Sequence, residues 1–133
     1  MRQYRIASIP ADGIGPEVVA AGLEVLDAVV SRDGGFALLV DHLDWGSDRY
    51  RRTGALMPAD GLDRLRGMDA ILFGAVGAPD IPDHVTLWGL RLPICQGFDQ
   101  YANVRPTRIL PGVQSPLRGI GPGDLDWLIV REN

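Results

Sequence analysis

A chain of 133 residues with 46 % apolar and 23 % charged residues has ordinary globular composition. It is long enough to bury about two-thirds of its unfolded surface in one domain. A net charge of −4, with arginines scattered along the whole length, excludes a phosphate-tracking surface, so no nucleic-acid partner is expected. No run approaches the roughly 18 apolar residues of a membrane span, the opening Met1-Arg2-Gln3-Tyr4-Arg5-Ile6 lacks the apolar core of a signal peptide, and the single Cys95 excludes an internal disulfide; these features predict a cytoplasmic protein with no membrane partner.

Residues 3 to 9 alternate loosely and stop at Pro10, which predicts a short strand feeding a glycine turn. From Pro16 a helix is expected: Val19, Leu23, Leu26 and Val30 recur at helical spacing, Glu17, Glu24, Asp27 and Ser31 form the polar stripe, and Asp33-Gly34-Gly35 ends it. Phe36 to Leu43 reads as a second strand, Ser47 to Thr53 as a polar helix, and Pro58 as the opening of a short helix carrying Leu62, Leu65 and Met68. The nearly unbroken apolar run Ala70 to Val76 predicts a central strand covered on both faces, leading into the loop Gly77-Ala78-Pro79-Asp80. This alternation is a parallel α/β pattern.

Residues 84 to 101 look partly helical, with Pro93 expected near a helix start or at a kink. Two further strands are expected at 102 to 110 and 126 to 131, joined by the proline- and glycine-rich Pro111 to Gly123.

Several candidate sites fall to simpler readings. Gly13-Ile14-Gly15 lies between a strand and a helix, but Pro16, Glu17 and Val18 follow it, so the third glycine of a dinucleotide fingerprint is missing and a carboxylate stands where a pyrophosphate would approach. Asp41, His42 and Asp44 make a poor metal set, because alternation along a strand sends His42 to the face opposite Asp41. His84 beside Asp83 reads as a loop or cap residue, and Arg49, Arg51 and Arg52 as a solvated helix face. All 13 basic side chains other than histidine are arginine, so the chain offers no lysine base. Arg105 and Arg131 differ from these: each follows a β-like run, and a guanidinium fixed on a strand is a rigid fork that matches a carboxylate. An arginine paired with a structural acid such as Glu132 or Asp99 explains them equally well.

In their order, Asp12-Gly13-Ile14-Gly15-Pro16-Glu17, Val85-Thr86-Leu87-Trp88-Gly89, Phe98 to Pro106 and Val130-Arg131-Glu132-Asn133 resemble the β-decarboxylating dehydrogenases, and within them the tartrate/D-malate branch. The resemblance covers essentially the whole chain. It implies an α/β fold of the isopropylmalate dehydrogenase type, a parallel-rich sheet flanked by helices and incomplete in this chain. Residues 1–100 are expected to form part of a first α/β domain and 101–133 the first strands leading into a second.

The resemblance also implies oxidation and decarboxylation of a small 2-hydroxy dicarboxylate with NAD and Mg²⁺ or Mn²⁺, in a homodimeric full-length enzyme. By position, Arg105 and Arg131 resemble two of the family's substrate arginines. Ile14, Gly15, Ala78, Leu87 and Trp88 resemble its cofactor-contacting segments. Where the family usually has another substrate arginine this chain has Cys95, and Arg91, four residues earlier, would share a face with it on a continuous helix. Ala11 replaces a common glycine, which predicts that this position does not need a positive φ.

The family's tyrosine acid, lysine base and metal-binding aspartates all lie beyond Asn133. A chain ending there is therefore expected to be inactive alone, with unpaired strand edges and uncovered apolar faces. Two alternatives stand beside this expectation: a 3-isopropylmalate dehydrogenase, whose apolar slot Leu87, Trp88, Leu90 and Leu92 would supply, and a noncatalytic remnant or interaction module.

Overall fold

The structure, a computed structural model, describes all 133 residues. It divides into two compact units, Met1–Ile94 and Cys95–Asn133. The first contains three parallel strands, β1 (Arg2–Ala11), β2 (Phe36–His42) and β3 (Ala70–Ala75), in the order β2-β1-β3. Its helices are α1 (Gly15–Asp33), α2 (Ser47–Thr53), α3 (Gly61–Arg66) and α4 (Asp83–Thr86). The second contains an antiparallel ribbon of β4 (Ala102–Arg108) and β5 (Asp126–Glu132).

The central strand is β1, not β3 as the apolar run from Ala70 predicts. Ala7, Ser8 and Ile9 are fully buried in succession, so both faces of β1 are covered, whereas β3 pairs only with β1 and is half-buried along Ile71 to Ala75. An apolar run reports that both faces of a strand leave water, but says nothing about which edges are paired. β1 also continues past its expected end, through Pro10. Its pairing with β2 stops at Ser8 opposite His42, so the ladder on that side makes no demand on the amide hydrogen that Pro10 lacks.

Helix α1 packs across all three strands. It starts with Pro16 in its first turn and ends on Gly34 at φ 70°, whose N–H bonds the Val30 carbonyl. The close approach depends on two glycines: a Cβ on Gly15 would lie 1.9 Å from the Pro10 carbonyl oxygen, and one on Gly74 2.2 Å from the same atom. Val19 is buried and Leu23, Leu26 and Val30 half-buried, as their spacing predicts. The other side of the helix is apolar as well: Ile14, Val18, Val25 and Val29 are between 47 % and 69 % exposed.

Helix α2 has its expected bounds, but α3 begins at Gly61 rather than Pro58, because the Pro58 carbonyl first accepts the Gly61 amide in a turn. Pro93 does not break the chain's helical course. After α4 the backbone widens into a π-turn, Leu87–Arg91, in which the Leu92 amide reaches back to the Leu87 carbonyl, and continues as α5 (Leu92–Gly97). The π-turn sits where a proline would otherwise crowd the carbonyl four residues before it.

In the ribbon, Asn103 faces Arg131, Arg105 faces Ile129 and Thr107 faces Trp127. Directly opposed residues share a face, so one side carries Asn103, Arg105, Thr107, Trp127, Ile129 and Arg131. The other carries Val104, Pro106, Leu128 and Val130, all exposed. The outer edges of β2, β3 and both ribbon strands have no strand partner. No helix is long and apolar enough to cross a membrane.

Candidate functional site

The C-terminal ends of parallel strands point loops and unsatisfied backbone groups into one region, and a ligand crevice opens where the chain reverses its direction across the sheet. Here β1 leads outward to β2 and the chain returns across β1 to β3. The crevice at that point has a volume of ≈ 310 Å³ and is lined by the β1–α1 turn at Ala11, Asp12, Gly13 and Pro16, the start of α2, and the Gly77-Ala78-Pro79 loop.

Asp12 holds this region together from beneath. It is 8 % exposed and the only charged residue among the buried ones. Its Oδ1 accepts the Ser47 amide at 2.7 Å, and its Oδ2 accepts the Ser47 hydroxyl at 2.6 Å and the Gly77 amide at 2.9 Å. Its spacing in the sequence gives no hint of this role, because the partners lie 35 and 65 residues away. Ala11, next to it, has φ 57°, which corrects the expectation that an alanine here signals an ordinary backbone. The turn takes the left-handed conformation despite the Cβ, at a cost of about 1 kcal/mol or more.

Above the crevice, Arg51 grips Asp80 with two bonds, Nη2 to Oδ1 at 2.6 Å and Nε to Oδ2 at 2.9 Å, and also bonds Asp48. Hydrogen bonding to this guanidinium holds the Asp80 carboxyl below the usual carboxylate range, and the same bond raises Arg51 above its ordinary value. Arg52 pairs with Asp44. Arg49 departs from the expected solvated face: it is half-buried, and its Nε is buried without a partner. Asp41 pairs with Arg5, so the Asp41, His42 and Asp44 set has its two carboxylates already engaged by arginines.

Among the residues that resemble cofactor contacts, Ala78 lines the crevice and Ile14 is exposed beside it in sequence. Gly15 is buried, and the contact that requires a glycine there is with Pro10 of β1. Leu87 and Trp88 do not line this crevice; they lie exposed on the π-turn, Trp88 at 62 %. Arg91 closes the π-turn and is half-buried, and Cys95 follows on the same helical run with its thiol free.

The two strand arginines lie together on one face of the ribbon, in the diagonal position on neighbouring strands that separates Cβ atoms by roughly 7–8 Å. Neither is paired with an acid: Glu132 falls on the opposite face, and Arg105 instead donates through Nε to Asn103 Oδ1 at 3.0 Å. Asn103 in turn donates to Asn133 Oδ1 at 3.1 Å, and Asn133 donates to the Gln100 carbonyl at 2.6 Å. The signal in the sequence for this contact is the i, i+2 spacing of Asn103 and Arg105, which puts both on one side of a strand. No group of three or more His, Cys, Asp or Glu side chains could hold a metal ion. The chain's own residues therefore do not fit a metal centre. Glu17 in the first turn of α1 makes that helix start a poor pyrophosphate cradle.

The model of the isocitrate/isopropylmalate dehydrogenase family matches residues 5–133. A probable tartrate dehydrogenase/decarboxylase of Agrobacterium vitis is 71 % identical over all 133 residues, which span 37 % of that protein. The D-malate dehydrogenase (decarboxylating) of Escherichia coli is 50 % identical over 100 % of the chain, and a 3-isopropylmalate dehydrogenase of Thermobifida fusca 47 % identical over 98 %; in each case 37 % of the relative is covered. The chain thus spans little more than a third of the length of these relatives. A crystal structure of a β-decarboxylating dehydrogenase from Thermococcus kodakarensis in its apo form superposes with a TM-score of 0.71 at 32 % identity, covering 98 % of this chain and 34 % of that one.

Proposed function

The chain belongs to the isocitrate/isopropylmalate dehydrogenase family, and we propose that it forms the anion-holding and cofactor-edge part of an NAD-dependent, metal-dependent oxidoreductase that oxidises and decarboxylates a 2-hydroxy dicarboxylate of the tartrate or D-malate type. The observation that carries this reading is the placement of Arg105 and Arg131 on one ribbon face with neither guanidinium neutralised by an acid. Two guanidinium forks on neighbouring strands match a carboxylate bidentately. With Nε committed to Asn103, Arg105 turns its two terminal nitrogens to the ligand.

The crevice at the ends of β1 and β3, lined by Ala78, would hold the nicotinamide end of the cofactor, with the exposed Ile14 following its Gly13 wall in sequence and Gly15 allowing the turn to sit close to the sheet. NAD bound there would supply the hydride acceptor for oxidation of the hydroxyl-bearing carbon. Arg91 and Cys95, four residues apart on one helical run, are the further substrate candidates, and Leu87 and Trp88, exposed on the π-turn, the further cofactor candidates. The Mg²⁺ or Mn²⁺ that the family implies takes its ligands from outside this chain, as does the general base, since the chain has no lysine. This chain alone is then inactive, and the working form is a cytoplasmic homodimer.

The high identity to the Thermobifida fusca 3-isopropylmalate dehydrogenase and the exposed Leu87 and Trp88 favour one second reading, an enzyme with an apolar substrate branch. Assay of the full-length protein for NAD reduction with D-malate, tartrate and 3-isopropylmalate decides between them. We expect turnover of the two small hydroxy acids; preference for 3-isopropylmalate would establish the second reading, and no turnover of any of the three would refute both.

A further inference from the structure

We propose that Asp12 is a positioning residue for cofactor binding, acting through the Gly77 amide to fix the Gly77-Ala78-Pro79 wall of the crevice; this rests on the reading that the crevice takes the nicotinamide cofactor. The bonds of this residue reach every element around the crevice. Its side chain holds the start of α2 through Ser47 and the loop after β3 through Gly77. Its own amide donates to the Ala75 carbonyl at 2.7 Å, and its carbonyl accepts the Gly15 amide at 2.8 Å, tying in β3 and α1.

No arginine shares in this network. The carboxylate is compensated only by two amide hydrogens and one hydroxyl, and burying a carboxylate without a counter-charge costs several kcal/mol before those bonds are counted. Packing alone would be better served by a neutral side chain.

Ala11 and Gly46 both shape the space around this residue. Ala11 is held at φ 57°, and Gly46, at φ 136°, leaves the space that Asp12 needs: a Cβ there would fall 2.9 Å from Asp12 Oδ1 and 3.0 Å from the Ala11 Cα. A buried charge next to a strained alanine, beneath a crevice, is an arrangement in which stability is given up for geometry. What that geometry fixes is the loop. Gly77 is pinned by Asp12, and three residues later Asp80 is pinned by Arg51, while between them the Ala78 carbonyl accepts the Ile81 amide at 3.0 Å.

The test uses the full-length protein with Asp12→Asn, which keeps the volume but brings an NH₂ group to a place that presents only donors. Three quantities are read: the NAD⁺ dissociation constant by tryptophan fluorescence, the KM for D-malate, and amide hydrogen exchange at Gly77. We expect NAD⁺ binding to weaken about tenfold, the KM for D-malate to stay within about twofold, and the Gly77 amide to lose protection. Unchanged NAD⁺ affinity despite lost protection and a lower Tm would make Asp12 a stability residue only and overturn the proposal. If Asp12→Asn does not fold, Ser47→Ala replaces it, since it deletes one donor and leaves the carboxylate and both backbone bonds. A rise of about threefold in the NAD⁺ dissociation constant supports the proposal and no change overturns it. Failure of the unmodified protein to bind NAD⁺ while Gly77 is fully protected would instead strike down the cofactor reading, and this inference with it.

Discussion

Nine of the ten buried apolar side chains lie in the α/β unit, among them Ile9, Leu56 and Leu90, while the ribbon unit contributes only Leu125. The ribbon instead exposes Val104, Leu128 and Val130 on one face and Trp127 and Ile129 on the other. Two strands without a layer above them are marginal in water, whereas the α/β unit closes its own core beneath α1 and ties its loops with buried polar bonds. The two proposed binding features are thus built on different foundations. The crevice rests on a buried scaffold, and the arginine pair rests on a ribbon whose apolar side chains are exposed.

This contrast can be broken by substitution in the 133-residue chain. Leu90→Ala, at a fully buried position, is expected to cost about 2–5 kcal/mol in a denaturant titration. Val130→Ala, in the ribbon, should stay within about 0.5 kcal/mol. In a longer form that covers the ribbon, the cost of Val130→Ala should rise toward about 1 kcal/mol or more; equal costs at Leu90 and Val130 in the short chain would end the distinction.

Gly15→Ala sharpens the same comparison from within the α/β unit. The added Cβ meets the Pro10 carbonyl, backbone against backbone, so α1 must move off the sheet at an expected cost of about 1–3 kcal/mol or more. A thermal midpoint unchanged by this substitution would mean that α1 does not set the packing.

The smallest effect concerns the exposed Arg51–Asp80 pair. Because the carboxyl is held below its ordinary value of 3.8, the tie is present above that value and is lost as pH falls through the lowered one, with no change expected from about pH 5 upward. Carboxyl NMR shifts should show Asp80 titrating below the other exposed aspartates and returning to the ordinary range in Arg51→Ala. High salt weakens the pair, since it is open to solvent.

Much of the α/β unit is legible in the residues themselves. The spacing of Val19, Leu23, Leu26 and Val30 gives α1, and Asp33-Gly34-Gly35 gives its end. The place of β3 in the sheet is not, because strand order is a tertiary choice that a one-dimensional apolar run does not encode. Pro93 lies in the first turn of α5, near a helix start as expected, and what the residues do not reveal is the π-turn upstream that keeps the helical course continuous. Ala11 shows that local preference yields to long-range bonds, here those of the neighbouring Asp12. The strands that carry Arg105 and Arg131 could be read, since each arginine follows a β-like run. Their shared face depends on the β4–β5 register, and Asp12 depends on partners brought from 35 and 65 residues away.

We propose that Arg105 and Arg131 hold the carboxylates of a small hydroxy acid. Steady-state kinetics of the full-length protein carrying Arg105→Ala or Arg131→Ala test it most directly. Each loss of a charged bidentate bond should raise the KM for D-malate or tartrate about a hundredfold, with the KM for NAD⁺ nearly unchanged. A KM for the hydroxy acid within about twofold of the unmodified protein in both variants would contradict it.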